Sequence, residues 1–151
     1  MFQRAQVSVL QQRLQEPRRF IQILSGPRQT GKTTIARQVM DSWKGGGAHY
    51  ASADEPTLQN EAWLGQQWEL ARLRLRDSST GEAILVLDEV QKLPRWSETV
   101  KRLWDEDTLA QRPLKVVLLG SSALLLSRGL TESLAGRFEI LPVTHWGLSE
   151  M

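Results

Sequence analysis

Eight consecutive residues, Gly26-Pro27-Arg28-Gln29-Thr30-Gly31-Lys32-Thr33, fit the spacing G-x-x-x-x-G-K-[ST] at every fixed position. Those residue types at that spacing suit the binding of a polyphosphate. The glycines let the backbone curl so that successive N–H groups converge on one point. A helix opening at the end of the loop adds unpaired N–H groups and a partial positive charge. Lys32 would bring a full charge to the β- and γ-phosphates, and the Thr33 hydroxyl would be a ligand for Mg²⁺. Residues 26–33 and the neighbouring Thr34 are therefore the expected nucleotide contacts. The competing reading is a Gly-rich turn that only ends a strand. The flanks argue against it, because an apolar run precedes the loop and a helix-like run follows it.

Binding and hydrolysis need different residues. The run "ILVLDEVQ" ends an apolar stretch with Asp88 and Glu89, the Walker B pattern. Asp88 would hold Mg²⁺, and Glu89 would act on the attacking water as general base or orienting group. Taken alone, the pair reads as an acidic strand end or a helix cap, and it is its place downstream of an intact phosphate loop that favours the chemical reading. "VVLLGSS" offers Ser121 and Ser122 at the end of another apolar run. Two readings stay open for them, contact with the γ-phosphate or water, and capping of a helix. Arg137, in "ESLAGRF", would either stabilise the transferring phosphoryl group of a neighbouring subunit or form a surface ion pair.

These residues must be positioned by ordered elements. The spacing predicts a helix over residues 3–16, ended by Pro17, and a strand at Phe20–Leu24. A helix from Gly31 to Trp43 follows, ended by the triple glycine Gly45–Gly47. "HYASA" reads as a weaker strand and residues 60–76 as a helix with Leu64, Trp68, Ala71 and Leu75 on one stripe. "AILVL" (Ala83–Leu87) and "LKVVLLG" are continuous apolar runs, the mark of strands buried on both faces of a parallel sheet. Ser97 could cap a helix carrying Val100, Leu103 and Trp104. "ALLLSRGLTESLAGR" reads as a helix broken at Gly129, and "FEILPV" as a fifth strand. Alternation of five strands with helices indicates an α/β fold with a parallel sheet.

The 151 residues suit one domain. The absence of cysteine excludes disulfides and thiolate zinc sites and fits a reducing cytoplasm. The most apolar stretch is too short to span a bilayer, and no segment reads as a signal peptide. A net charge of +2 gives no compositional argument for nucleic acid.

Together, "GPRQTGKTT", "LDEVQKLPRW", "LLGSSALLLS" and "ESLAGR" followed by "LPVTHWGLSE" resemble the additional-strand class of P-loop ATPases, AAA+ proteins. More narrowly they resemble a prokaryotic AAA-type ATP-binding domain family often fused to a C-terminal nuclease-like domain. The resemblance implies a three-layer α/β sandwich with a five-stranded parallel sheet ordered 5-1-4-3-2. It implies ATP and Mg²⁺ as cofactors, Lys32 and Thr33 in Walker A, and Asp88 and Glu89 in Walker B. Ser121 or Ser122 would be the first sensor, and Arg137 would resemble an arginine finger acting in trans within a homo-oligomer. Relatives usually carry "PLS" with an aromatic where this chain has Pro142-Val143-Thr144-His145-Trp146, which touches no assigned role. The family's helical lid and C-terminal domain would follow Met151. The chain therefore reads as the N-terminal part of a longer protein or as a natural short product, expected to bind nucleotide but not to turn it over rapidly alone.

The six tryptophans do not argue for base stacking. Trp63, Trp68 and Trp104 lie on or near apolar stripes and read as core, while Trp43, Trp96 and Trp146 are candidates for exposure. "RLRLR" (Arg72–Arg76) reads as a solvated helix surface, and His49 and His145 have no sequence-near partners. Three activities compete on these residues. The preferred one is a Mg²⁺-dependent ATPase. The second is a nucleotide-gated assembly module whose output lies with a further domain or a protein or DNA partner. The third is a small-molecule kinase, disfavoured by Glu89 beside Asp88. No Asn-Lys-x-Asp signature is present, which favours ATP over GTP.

Overall fold

The apolar runs become strands because each is long enough to cross a sheet and too short for a buried helix. In the computed structural model, which describes residues 5–26, 31–43, 46–53, 61–120 and 134–142, the elements in chain order are as follows. Helix α1 (Ala5–Gln15) leads into β1 (Ile21–Ser25), α2 (Lys32–Ser42) and β2 (Gly46–Ser52). Helix α3 (Glu61–Arg76), β3 (Glu82–Asp88) and a 3-10 turn (Val90–Lys92) come next. Helix α4 (Trp96–Leu109), β4 (Leu114–Gly120) and β5 (Phe138–Pro142) complete the set.

The five strands form one parallel sheet in the order β2-β3-β4-β1-β5, the expected 5-1-4-3-2 arrangement read from its other edge. Helices α1 and α2 cover one face, with Val7, Leu10, Leu14, Ile35 and Val39 meeting Leu24, Ile84, Val86, Val117 and Leu119. Helices α3 and α4 and the 3-10 turn cover the other, with Trp63, Trp68, Trp96 and Trp104 against Ile23, Leu85, Leu87, Val116 and Leu118. Strand β3 does not alternate because both faces are covered. Ala83 to Leu87 are all buried, and each large aliphatic side chain contributes roughly 1.5–3 kcal/mol relative to exposure.

Several expectations change. The triple glycine does not cap α2. That helix ends at Ser42, with Trp43 extended and its N–H bonded to the Met40 carbonyl at 3.1 Å. Gly46 and Gly47 open β2 instead. A Cβ on Gly47 would stand 2.6 Å from the Arg74 Cβ, so glycine is required where the strand passes under α3. Helix α4 starts at Trp96, one residue before Ser97, and its cap Arg95 is left-handed at φ 52° with no side-chain cap. Ser97 is buried in the first turn, because Trp96 enters the core and draws the helix start back with it. Trp96 is thus core rather than surface, Trp43 is half-buried, and Trp146 lies outside the described residues. The expected helix around Gly129 falls on residues 121–133, also outside them.

"RLRLR" is only partly a solvated surface. Arg74 and Arg76 are exposed, but Arg72 is buried against Asp107. Burial opposes its charge, yet Asp107, Glu69 and Glu106 together raise its pKa above the ordinary arginine value. His49 pairs its Nε2 with Gln67 Oε1 at 2.8 Å. Among the described residues, no helix is long and apolar enough to cross a membrane.

Candidate nucleotide-binding site

Parallel register brings four strand ends level: Ser25 lies opposite Gly120, Asp88 opposite Leu119, and Ser52 opposite Asp88. In open α/β sheets, the crevice at the carboxyl ends of the strands is where ligands sit. Gly26 leaves β1 there, tied to β4 by its N–H bond to the Gly120 carbonyl at 3.3 Å. The loop residues Pro27, Arg28, Gln29 and Thr30 lie outside the described residues. The chain returns at Gly31, whose φ of 89° lies in the left-handed region that favours glycine. Gly31 then opens α2, with the Ile35 N–H bonded to its carbonyl at 2.9 Å.

Lys32, the first residue of α2, is buried, and its Nζ donates to the Gly26 carbonyl at 2.8 Å. The ammonium therefore lies across the base of the loop. One position further, the Thr33 hydroxyl donates to Asp88 Oδ2 at 3.2 Å. The fold thus brings together the two expected Mg²⁺ ligands from positions 55 apart. Their hydroxyl and carboxylate oxygens are hard donors of the kind Mg²⁺ takes, so the donor set fits the ion. Thr34 is exposed on the same turn.

Glu89 is buried and left-handed, φ 57°, a region costly for a residue with a side chain, on the order of 1–3 kcal/mol. Its environment holds it there. The Glu89 N–H donates to the Leu119 carbonyl at 2.8 Å, its carbonyl accepts from Lys92 at 3.1 Å, and Gln91 Nε2 donates to its Oε2. Strain of this kind concentrates at functional sites. Two of these participants escaped the sequence reading. Gln91 carried a signal, an amide side chain two places after Glu89 in the short turn Val90–Lys92. Tyr50 carried none. The period of two along β2 puts it on the same face as Ser52, and its hydroxyl donates to Asp88 Oδ2 at 2.8 Å.

Arg137 does not join this constellation within one chain. It precedes β5, and its carbonyl accepts from the Ile21 N–H at 2.8 Å. That places it roughly 15 Å along the sheet from the level of Ser25. Its guanidinium grips Asp105 through both oxygens, Nε to Oδ1 at 2.9 Å and Nη2 to Oδ2 at 3.1 Å. The hydrogen bonds to Asp105 raise its pKa against the opposing effect of burial. Ser121 and Ser122 follow β4 directly and lie outside the described residues.

Comparison with known proteins agrees with this geometry. A family model described as an AAA domain matches residues 18–151. Two curated mycobacterial proteins, uncharacterized protein Rv2008c of Mycobacterium tuberculosis and uncharacterized protein Mb2031c of Mycobacterium bovis, are each 31% identical over 122 residues. The matched region is 81% of this chain and 24% of each relative, so the chain spans about a quarter of their length. Among solved structures, RuvB of Thermotoga maritima superposes with a TM-score of 0.57 at 20% identity, covering 95% of this chain and 43% of that one. This likeness concerns the fold, and the sheet order agrees with it. With the family match running through the phosphate loop, the acidic strand end and the last strand, the chain belongs to the AAA domain family of P-loop ATPases.

Proposed function

We propose that the protein binds ATP at the carboxyl ends of β1 and β3 and hydrolyses it to ADP and phosphate in a Mg²⁺-dependent reaction. The observation that carries this reading is the Thr33–Asp88 pair at 3.2 Å beside buried Lys32, with strained Glu89 next in sequence. In this reading the Walker A loop 26–34 cradles the phosphates through its N–H groups, and Lys32 neutralises their charge. Thr33 and Asp88 hold the ion, which when bound neutralises the charge of the β- and γ-oxygens. Glu89 orients a water for in-line attack and accepts its proton as the new O–P bond forms and the bond to ADP breaks. Ser121 or Ser122 would contact the γ-phosphate. The reading places the protein in the cytoplasm, where ATP and Mg²⁺ are supplied.

Lys32→Ala is expected to lose at least about 10²-fold in ATP affinity measured by calorimetry, because a buried charged donor to the phosphates disappears. Binding at native affinity in that variant would overturn the assignment.

A second reading is favoured by the position of Arg137. Paired with Asp105 at the far end of the sheet, it could reach a nucleotide in a neighbouring copy but not the one in its own chain, and in this reading ATP is an assembly signal as well as a substrate. The output would then lie in a further domain or a protein or DNA partner. Arg137→Ala should leave ATP affinity unchanged and lower turnover roughly 10³-fold, the scale of an arginine finger. Its melting temperature should barely move, since the partly exposed pair with Asp105 is worth only about 0–1 kcal/mol. Sedimentation with and without ATP completes the test. Monomers that hydrolyse ATP at full rate after Arg137→Ala would exclude the role in trans.

A further inference from the structure

We propose that Tyr50 is a positioning residue for the Asp88 carboxylate, an inference that rests on the reading of Thr33 and Asp88 as the Mg²⁺ pair. Tyr50 lies opposite Val86 in the parallel register of β2 and β3, and Ser52 lies opposite Asp88. Side chains two apart share a face, so Tyr50 and Asp88 are on the α2 side of the sheet, one step apart along the strands. The Tyr50 ring packs against the core that α2 forms with Val86 and Leu119. From that anchored ring the hydroxyl reaches Asp88 Oδ2 at 2.8 Å, the same oxygen that accepts from Thr33 at 3.2 Å.

Two elements therefore fix one carboxylate oxygen, β2 through Tyr50 and α2 through Thr33. The two donors differ in what they can do next. The Thr33 hydroxyl keeps lone pairs for a cation while its proton rests on Asp88. Tyr50, on the neighbouring strand, has only to hold the carboxylate plane. Mg²⁺ demands near-ideal octahedral geometry and tolerates a rotating ligand poorly. Hydrogen bonds to a ligand's own oxygen are a standard means of setting its orientation, and losing one costs about 10–100-fold in metal affinity or activity. A tyrosine that merely satisfies its hydroxyl would leave the metal dependence untouched, and this separates the two roles.

The test is calorimetric titration of a non-hydrolysable ATP analogue at a series of Mg²⁺ concentrations. Tyr50→Phe keeps the packed ring and is expected to bind the analogue without metal within about twofold of native. The Mg²⁺ concentration at which affinity is half-enhanced should rise roughly tenfold. In an Asp88→Ala background, where no side-chain oxygen is left to hold, the same substitution should add no further shift, because its route is gone. Thermal melting shows that each variant is folded at the titration temperature. An unchanged Mg²⁺ midpoint in Tyr50→Phe, beside a Mg²⁺-dependent native protein, overturns the role of Tyr50 alone. So does an undiminished shift in the Asp88→Ala background. Native affinity that ignores Mg²⁺ overturns the metal pair and this inference together.

Discussion

Glu89→Gln is expected to bind ATP as tightly as the native protein and to hydrolyse it at least about 10²-fold more slowly, the usual contribution of a positioned general base. Glutamine keeps the length and the acceptor oxygen that Gln91 Nε2 addresses, so the turn should survive. It also tolerates the φ of 57° no worse than glutamate, since both carry the same unbranched stem. What it loses is the proton acceptor. Binding is expected to be spared because, in the proposed site, the phosphate contacts would come from residues 26–34 and the metal pair, none of which includes position 89. The measurement is phosphate release under single-turnover conditions, paired with calorimetric ATP affinity. Hydrolysis at the native rate with native affinity would mean that the base lies elsewhere. Loss of affinity as well would mean that Glu89 shapes the loop rather than the water.

The division between what the sequence revealed and what it hid follows physical lines. The β1–loop–α2 unit is legible because its constraints are local: an apolar run, glycines where the backbone must curl, and a lysine at a helix start. The non-alternating β3 and β4 are legible because burial on both faces leaves a compositional mark. The contacts that were hidden are those set by register. Nothing near Tyr50 in sequence marks it as a partner of Asp88. The pairing exists because β2 lies beside β3 with Ser52 level with Asp88. Gly46 and Gly47 read as a helix stop because three glycines resemble one, whereas the requirement comes from α3 lying against the start of β2. Arg72 read as surface because helical spacing spreads the three arginines of "RLRLR" round the helix instead of gathering them into one patch, but the helix turns it towards Asp107. In each case the decisive partner is far away in sequence and close only in the fold.

Asp107→Ala is expected to produce the largest loss of stability in the described region, about 3–5 kcal/mol. Asp107 has no solvent exposure, and its carboxylate collects three donors: Trp68 Nε1 at 2.8 Å, Arg72 Nε at 2.8 Å and Arg112 Nη1 at 2.9 Å. A third cation lies close by. Arg18 stacks on Trp104 at 3.5 Å and donates to the Leu114 and Trp104 carbonyls, both at 2.9 Å. Burial lowers the Arg18 pKa to about 10, against the opposing pull of Asp107 and Asp105. Alanine would leave buried Arg72 with only the part-exposed Glu69 and Glu106 as counterions and strand the Trp68 N–H. At roughly 2–4 °C per kcal/mol for a chain of this size, the melting temperature should fall by about 10 °C. The charge, not the cavity, is the cause in this argument. The pair Arg72→Met and Asp107→Leu should therefore recover much of the loss, because removing both charges removes the desolvation cost. Circular-dichroism melts of the single and double variants decide it. A single variant that melts at the native temperature would show that Asp107 is not needed to hold α3 on α4. A double variant no better than the single would assign the loss to packing.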